Sequence, residues 1–564
     1  MPPSTDDLRS DPGAVPTSGA ERAAVALLAA CAAPILAAYL LDLAGLAFTP
    51  SRLLAVLLVA AGLAFTAFAP VARSKVDSVL FGGVVLAAAA WLLWLASPTF
   101  LPLSTGPDLT HHLMLIRYIE EHWRLVHDPA LERFLGEMAQ YTPGSHILAA
   151  LAGAWSRTDG LRALHAMQVV TVALKCGLLA LIGFRLLPPR APRVLALAGV
   201  ALLLAAPRYA LGSLMEYGFV AQVVAELFVV GMWWAAVAWD ARPDARLGLV
   251  FGFAGAAAFL TWPVYTGPPA LAFFLVVALR ADLPVTARLR HLVIAYAPFA
   301  SFALLYLVGR LGWLQLAGTG GAAPWPSVAA YSLPLVVLAA AGFVLAIARR
   351  RGRATALFVV SVLAQAAAFY VLATRAGAPQ PYMALKMGYL LLWPMAACAV
   401  LVLGEFWLAV TPLVARMPRL STSVATGAVI VVLVLVARPL AQAPARLHPL
   451  PPAVSLPLYD AGRWARAHVP AGCVEYLVGD DETAYWLHLA VLGNPRMSDR
   501  TGNNATYEPN DAVMRWLTPN GLPYAIADLP ALPRDVREEL DIVQSFGTAA
   551  VVRRRGPAAC DAGR

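Results

Sequence analysis

Charged residues are scarce in this chain, and their scarcity argues against a soluble protein. Only 13% of the 564 residues are Asp, Glu, Lys or Arg, whereas 60% are hydrophobic, and the mean hydropathy is +0.68. Soluble domains carry roughly 25% charged residues. A chain with this excess of apolar side chains needs an apolar solvent, which the lipid bilayer supplies. The apolar runs are about 20 residues long and do not alternate with polar residues, so they predict transmembrane helices rather than barrel strands.

Cysteine is also rare, and no glycine-rich phosphate-binding loop is present. The five cysteines lack metal-ligand spacing, which argues against a structural metal site. Cys31, Cys176 and Cys398 lie in apolar runs, where we expect them to be inert. Cys473 and Cys560 both fall in the C-terminal region, where a disulfide can form if that region is extracytoplasmic.

About thirteen apolar runs are candidates for membrane-crossing helices. Residues 194–206, 247–262 and 265–279 are short, and we expect two of these three to be bent or broken. The polar residues 1–21 are predicted to be a cytoplasmic tail, because the first apolar run is too long for a cleavable signal peptide. The predicted spans are residues 23–48, 52–72, 77–98, 160–184, 194–206, 218–239, 247–262, 265–279, 289–312, 326–347, 355–373, 385–405 and 421–440.

The distribution of Lys and Arg predicts the orientation of the bundle. With the N-terminus inside, each loop predicted to be cytoplasmic carries at least two cations, whereas the outer loops carry one or none apart from Arg52 at a helix edge. This pattern follows the positive-inside rule and places residues 99–143, and everything after residue 440, on the extracytoplasmic side. The net charge of +9 therefore encodes topology and does not indicate nucleic-acid binding.

The C-terminal region has a different composition from the bundle at 22–440. Residues 441–457 are rich in proline and predict a linker, and residues 458–564 alternate helical and extended patterns. This alternation predicts a small extracytoplasmic α/β domain after an all-α polytopic membrane bundle. The predicted helices are Tyr459–His468, Thr483–Leu492 and Arg534–Leu540, and the predicted strands are Cys473–Val478, Pro523–Ala527 and Ala549–Arg553.

The loop at residues 99–143 contains the residues best suited to catalysis. A helix is predicted from Asp108 to about Arg124, and we expect it to place Asp108, His111 and His112 on one face. A carboxylate beside imidazoles can act as a general base or bind a divalent metal. The alternative is that Asp108 caps the helix while the histidines lie at the membrane interface. The length of the loop favours a function, because long loops in compact proteins are usually functional. The predicted stripe is Asp108, His111, His112, Leu115, Ile119 and His122.

A second polar group lies at the outer end of a late span. Lys386 enters the membrane from the side where positive charge is disfavoured. It either extends along the helix toward the surface or holds a phosphate at headgroup depth. Tyr382 and Arg375 lie close to it in the sequence, and Glu216 is placed where it could line an external cavity.

Ionisable residues also occur inside the predicted spans. Lys175, Glu226 and Glu405 lie within apolar runs, where such residues usually face the bundle interior and pair with each other. A Lys175–Glu226 ion pair that fastens two helices is the preferred interpretation.

With these motifs the chain resembles the membrane-embedded GT-C glycosyltransferases, such as protein mannosyltransferases, aminoarabinose transferases and arabinosyltransferases. These enzymes share an apolar helix bundle and an acidic residue in an early extracytoplasmic loop, and many have a C-terminal domain. Asp108, in Gly-Pro-Asp-Leu-Thr-His-His, looks like the loop aspartate of the family. Tyr382 and Lys386 look like its late basic patch for lipid-linked phosphate. The aspartate loop follows the third span here, whereas it follows the first in most members.

The resemblance implies an inverting transfer of sugar from a polyprenyl-phosphate donor to a cell-envelope acceptor, which can be a lipid, a glycan or a protein. Asp108 would deprotonate the acceptor hydroxyl, with His112 or His111 orienting it. The resemblance establishes no cofactor, and a divalent cation on Asp108 and His112 is a candidate. Lys386, with Arg375, would stabilise the leaving phosphate. The substrate-binding residues predicted in this way are Lys386, Tyr382, Arg375, Glu137, Tyr141 and Glu216.

Other functions are compatible with the same sequence. A transporter or flippase of lipid-linked glycans would also have many helices and intramembrane charges, although no inverted repeat is evident. A polysaccharide polymerase or ligase would use the same type of donor. A non-catalytic assembly protein would use its C-terminal domain to bind a partner.

Overall fold

The computed structural model contains a helical bundle followed by a small α/β domain, so the predicted fold class is confirmed. The last predicted span, residues 421–440, lies outside the described residues except for residue 434. The structure describes residues 18–68, 75–103, 107–128, 131, 135–309, 323–415, 434, 448–470, 472–492, 509–518, 521–538 and 540–555.

The chain is a multi-pass integral membrane protein by the length and composition of its helices. Within the described residues, eight helices are long and apolar enough to cross a membrane, and four shorter apolar helices accompany them. The first twelve predicted spans each overlap one of these helices. The bundle helices are α1 (Gly19–Leu43), α2 (Pro50–Ala67), α3 (Lys75–Leu95), α4 (Pro107–His122), α5 (Gly144–Ser156), α6 (Gly160–Leu186), α7 (Leu195–Ala205), α8 (Val220–Ala241), α9 (Ala245–Phe259), α10 (Gly267–Ala278), α11 (Val285–Gly309), α12 (Leu333–Ala348), α13 (Arg353–Arg375) and α14 (Tyr382–Ala415).

A break between two short helices brings aromatic residues into the bundle. Helix α9 ends at Phe259, and the 3-10 turn Pro263–Tyr265 separates it from α10. Proline cannot donate a backbone hydrogen bond, so Pro263 ends the regular pattern of α9. The break buries Trp262 and Tyr265, and both contact the candidate site described below.

Helix α5 is an apolar element that the sequence did not predict as a separate helix. It begins at Gly144, whose amide donates a 2.8 Å hydrogen bond to the carbonyl of Leu260. A Cβ atom at Gly144 would lie 2.2 Å from the hydroxyl oxygen of Thr261, so only glycine allows this close approach. The contact places the start of α5, and His146 within it, beside the break after α9.

The predicted ion pair between Lys175 and Glu226 is confirmed. The Lys175 ammonium donates to a Glu226 carboxylate oxygen at 2.7 Å and to the carbonyl of Val223 at 2.8 Å, and both charged side chains are fully buried. The pair joins α6 to α8. Glu405, the third ionisable residue predicted inside a span, lies in the second half of α14 and pairs with Arg351.

Replacing Lys175 with methionine should strongly destabilise the protein. The substitution leaves the Glu226 charge buried without its partner, and we expect it to cost about 3–5 kcal/mol of unfolding free energy. The double variant K175M/E226L buries no charge and should regain most of this loss. Apparent melting temperatures in one detergent provide the comparison. Equal melting of K175M and the unmodified protein would mean that the pair contributes no stability.

The C-terminal domain has a four-stranded sheet with the order β1-β2-β4-β3. Strands β1 and β2 are parallel, whereas β4 is antiparallel to both β2 and β3. The three predicted strands are present, and the fourth, β3, was missed because most of its side chains are exposed. The elements of the C-terminal domain are α15 (Leu456–His468), β1 (Val474–Leu477), α16 (Asp481–Trp486), α17 (Pro509–Leu517), β2 (Tyr524–Asp528), α18 (Arg534–Glu538), β3 (Asp541–Phe546) and β4 (Ala549–Arg553).

The cysteines follow the expected division between the two parts of the chain. Cys31, Cys176 and Cys398 are free thiols in the bundle. Cys473 precedes β1, is buried and is disulfide-bonded. Cys560 lies outside the described residues.

The linker and the C-terminal domain both make polar contacts with one end of the bundle. The Tyr459 hydroxyl donates to the Asp159 carboxylate at 2.8 Å, which links α15 to the turn between α5 and α6. The amide of Leu450 donates to the carbonyl of Leu95 at 2.8 Å, at the end of α3. The start of α6, the end of α3 and the C-terminal domain therefore lie at the same end of the molecule.

Candidate active site

Lys386 lies in the first turn of α14 and is buried, with 2% of its surface exposed. Its ammonium group lies over the ring of Phe219 and 5.0 Å from the centroid of the Tyr382 ring. Its backbone carbonyl accepts a 2.7 Å hydrogen bond from the Tyr265 hydroxyl. Aromatic rings thus surround this lysine, and its side chain is buried instead of extending to the surface.

Arg208 is a second buried cation beside the same turn of α14. It begins the π-helix Arg208–Glu216 and is 4% exposed. One guanidinium nitrogen, Nη2, donates to the carbonyls of Pro324 at 2.9 Å and Leu385 at 3.4 Å. The guanidinium carbon lies 4.4 Å from the centroid of the Tyr389 ring.

The remaining donors of Arg208 are available for a ligand. Its Nε and Nη1 atoms donate no hydrogen bond within the part of the chain that the structure describes. Leaving buried donors unsatisfied is costly, and a guanidinium offers its N–H groups as a planar fork that matches phosphate or carboxylate. The N-terminal end of α14 adds the partial positive charge of a helix start. We refer to Arg208 and Lys386 as the cationic cluster.

Two histidines form a buried hydrogen-bonded pair close to this cluster. His112 Nδ1 and His146 Nε2 are 2.9 Å apart, so the pair joins α4 to α5. The Tyr141 ring packs edge-on against both imidazoles, with centroid distances of 5.1 Å and 5.8 Å, and stacks on Trp262. The predicted residues His112 and Tyr141 are therefore neighbours in the structure.

The environment of His112 keeps its imidazole neutral and connects it to Lys386. Burial, together with the positive charge of Lys386, lowers the pKa of His112 to about 3. His146 Nε2 contacts His112 Nδ1, and His146 Nδ1 lies 3.4 Å from the Ser145 hydroxyl. In the tautomer in which His112 Nδ1 donates to His146, the Nε2 atom of His112 has a lone pair that can accept a proton or a hydrogen bond.

His111 faces a different partner. Its Nε2 atom lies 2.7 Å from the hydroxyl of Tyr485 on α16, and both side chains are buried. The contact holds α4 against the C-terminal domain. His111 is therefore suited to position α4, whereas His112 is suited to contact a substrate.

The described geometry covers only part of the predicted loop motif. Asp108 lies in the first turn of α4, one helical turn before His112, and Glu137 lies in the 3-10 helix Gly136–Gln140. The side chains of Asp108 and Glu137 fall outside the described part of the structure. His122, predicted on the same stripe, is exposed at the end of α4 and stacks on Tyr118.

The other predicted substrate-binding residues have different positions. Tyr382 lies beside Lys386, as given above. Glu216 is exposed at the end of the π-helix and is hydrogen-bonded with Tyr217. Arg375 is exposed at the end of α13, and no hydrogen bond or ion pair among the described residues joins it to Lys386. In this structure Arg208, rather than Arg375, is the arginine adjacent to Lys386.

Sequence reasoning missed Arg208 and His146. Arg208 is a single cation in the predicted outer loop 207–217, and it lies on the side where cations are disfavoured. The same signal drew attention to Lys386, so it could have identified Arg208. His146 gave no comparable signal, because a single sequence does not reveal which helices pack together.

The described side chains do not form a metal site. Zinc–nitrogen distances are about 2.0–2.1 Å, whereas His112 Nδ1 and His146 Nε2 are hydrogen-bonded directly to each other. Among the residues whose side chains are described, no three His, Cys, Asp or Glu residues form a metal-binding group. The chemistry proposed below uses protein side chains alone.

A titratable cluster lies between α4, the start of α6 and the C-terminal domain. A Glu120 carboxylate oxygen accepts a hydrogen bond from the Gly160 amide. Arg117 pairs with Glu121, and Asp159 lies close to both helices. Burial raises the pKa of Glu120 to about 7, although the Gly160 amide opposes this shift. The neutral form of Glu120 is therefore favoured in the folded protein at mildly acidic pH.

Thermal stability should fall between about pH 5 and pH 7 because of Glu120. Its folded pKa lies above its ordinary value of 4.5, so the folded state binds more protons than the unfolded state in this range. Stability then decreases as the pH rises, by about 2 kcal/mol in total. The E120Q variant should show a flatter dependence of apparent melting temperature on pH. The E121Q variant removes a more exposed carboxylate from the same helix and should retain the original slope. An unchanged slope in E120Q would contradict the assignment.

Comparison with known proteins places the architecture in context. No family model and no curated protein sequence matches the chain. It is similar to the solved structure of an archaeal oligosaccharyltransferase, AglB from Archaeoglobus fulgidus in complex with an inhibitory peptide and a dolichol-phosphate, with 13% identity and a TM-score of 0.46 over 86% of this chain and 75% of that chain. It is also similar to ArnT from Cupriavidus metallidurans in the apo state, with 15% identity and a TM-score of 0.45 over 84% of this chain and 97% of that chain. Both are GT-C membrane glycosyltransferases, the class that the sequence resembles. Similarity at this level does not transfer their substrates or residue roles to this chain.

Proposed function

We propose that this protein is a GT-C-type membrane glycosyltransferase that moves a sugar from a polyprenyl-phosphate donor to a cell-envelope acceptor. The observation that carries the proposal is the position of the cationic cluster. Arg208 and Lys386 are both buried at the start of α14, and the charge of Lys386 acts on His112 in the predicted catalytic loop. We therefore assign the donor phosphate to the cationic cluster and the proton acceptor to the predicted catalytic loop.

The cationic cluster suits the leaving group of the proposed reaction. A sugar linked to polyprenyl phosphate is a phosphodiester with one negative charge. When its bond to the sugar breaks, the phosphate becomes a monoester with about −1.5 to −2 charge at neutral pH. Two fixed cations stabilise this increase, and their effect is greater in a buried site than in water. The unused donors of Arg208 provide the matching hydrogen bonds.

The catalytic loop supplies the second half of the reaction. Asp108 takes the proton of the acceptor hydroxyl as its oxygen attacks the anomeric carbon of the sugar. The bond between that carbon and the phosphate oxygen breaks, and its electron pair leaves with the polyprenyl phosphate. His112, held by His146, orients the acceptor through its Nε2 lone pair. Attack opposite the leaving phosphate inverts the configuration of the sugar.

A structure determined with added polyprenyl phosphate would test the proposal. We expect the phosphate oxygens within hydrogen-bond distance of Arg208 Nε or Nη1 and of Lys386 Nζ. The Asp108 carboxylate should then lie about one sugar's width from the phosphorus atom. If the phosphate binds elsewhere, or Asp108 caps α4 and faces bulk water, the glycosyltransferase assignment fails. A transporter or an assembly role would then be the better explanation.

A further inference from the structure

A large groove lies on the side of the bundle, between α1, α2, α5 and α6. Its volume is about 760 Å³, which is within the usual range of about 300–1,000 Å³ for ligand pockets. The inner wall is apolar and comes from all four helices. Its members include Ala30, Leu57, Leu148, Met167 and Val170.

The mouth of the groove is cationic. Arg157, in the turn between α5 and α6, and Arg162, in the first turn of α6, line it, and Arg463 lines it from the C-terminal domain. Arg463 pairs with Asp159, with 3.4 Å between Nε and Oδ2. Arg157 and Arg162 are exposed and make no ion pair among the described residues. Arg157 and Arg162 therefore leave an excess of positive charge at the mouth.

Arg157 occupies a backbone conformation that normally favours glycine. It terminates α5 with φ +56° and ψ +36°, in the left-handed region. Glycine is the usual residue at such a helix end, because a side chain adds strain there. An arginine at this position supplies a charged side chain to the mouth despite that strain.

The groove is about as deep as one leaflet of a bilayer. From Arg162 at the mouth to Val170 in the wall, α6 advances eight residues, which is about 12 Å of helix. One leaflet has a hydrocarbon thickness of about 15 Å. Trp155, half-exposed at the mouth, is the type of residue that marks the headgroup level. The depth of the groove thus suits an acyl chain, and the positive charge at its mouth suits a phosphate.

The groove is separate from the candidate active site. Leu148, Leu151 and Ala152 of α5 line it, whereas His146 on the same helix contacts His112. At 100° per residue, these lining positions are 140° to 240° around the helix from His146. Helix α5 therefore stands between the groove and the histidine pair.

We propose that this groove binds one acidic glycerophospholipid from the surrounding leaflet, as a ligand distinct from the sugar donor. The phosphate of the lipid contacts Arg157 and Arg162, and one acyl chain fills the apolar wall. Because Arg463 of the C-terminal domain also lines the groove, the bound lipid contacts that domain as well as the bundle. This inference does not depend on the proposed glycosyltransferase activity.

Native mass spectrometry of the delipidated full-length protein can test this inference. Phosphatidylglycerol, phosphatidylcholine with the same acyl chains, and polyprenyl phosphate are titrated separately. We expect one tightly bound phosphatidylglycerol and weaker binding of phosphatidylcholine. The double variant R157Q/R162Q should weaken phosphatidylglycerol binding at least tenfold, since each arginine near a lipid surface contributes about 1 kcal/mol.

Two further variants make the result specific. R124Q/R290Q removes two exposed arginines outside the groove and should bind phosphatidylglycerol like the unmodified protein. A166W fills the groove without changing charge and should also lose binding, which covers the case in which R157Q/R162Q fails to fold. Equal binding of phosphatidylcholine, or normal phosphatidylglycerol binding by both groove variants, would overturn the proposal. So would loss of polyprenyl phosphate binding in R157Q/R162Q, because the groove would then hold the donor.

Discussion

Replacing Asp108 with asparagine should lower the rate of sugar transfer by a factor of about 10²–10⁴, the usual contribution of a general base. Asparagine keeps the size of the side chain but cannot accept the proton of the acceptor hydroxyl. The loss should appear in kcat, while binding of polyprenyl phosphate stays close to that of the unmodified protein. Single-turnover transfer from a radiolabelled polyprenyl-phosphate sugar is the measurement.

The control for this prediction is E121Q, which also removes one carboxylate from α4. Glu121 is partly exposed and pairs with Arg117, so E121Q should transfer sugar at the original rate. Melting temperature separates catalysis from helix capping. An Asp that only caps α4 would cost about 0.5–2 kcal/mol of stability on replacement and leave the transfer rate of the folded protein intact. Full activity in D108N would remove Asp108 from the mechanism.

The parts of the fold that the sequence predicted are those governed by burial in lipid. Lys175 and Glu226 are 51 residues apart, yet each is too costly to leave alone in an apolar run, and this cost predicted their pairing. Helix α5 was missed because its apolar run, residues 147–155, lies between polar residues and is shorter than any of the predicted spans. Its place depends on the contact of Gly144 with Leu260, which involves packing between distant segments.

The candidate site shows the same limit. Lys386 stood out because a cation at the outer edge of an apolar span is unusual, and the structure places it beside aromatic rings. Arg208 is also a cation on the side of the membrane where cations are disfavoured, but the sequence analysis counted it only as a loop residue. Arg375 was grouped with Lys386 because the two are close in the sequence. They lie on different helices, separated by a turn in which Gly377 has a left-handed backbone conformation. Arg375 and Lys386 are therefore close in the sequence without being in contact.

Replacing Lys386 with glutamine should reduce kcat by a factor of about 10²–10³, as removal of one preorganised electrostatic contact does in other enzymes. We expect R208Q to have a similar effect. R208K retains the charge but not the planar fork, so it should lose part of the activity and recover only part of the phosphate affinity. Binding of polyprenyl phosphate and transfer kinetics are measured on the same preparations.

Loss of activity through misfolding is tested with R280Q. Arg280 is also a buried arginine, but it pairs with Asp282 and Asp240 away from the cationic cluster. This variant should melt at a lower temperature while its folded fraction keeps the original kcat. Transfer at the original rate by K386Q and R208Q would show that the phosphate is held elsewhere.

The double variant K386Q/R208Q tests whether the two cations act on one phosphate. Groups that bind a single charge are coupled, so the free-energy losses of the single variants should not add up to that of the double variant. Two cations serving separate ligands would give additive losses. Arg208 reaches the carbonyl of Leu385, the residue that precedes Lys386, so their effects should be coupled. Since the increase in charge on the phosphate occurs as its bond to the sugar breaks, this coupling should be larger in kcat than in donor binding.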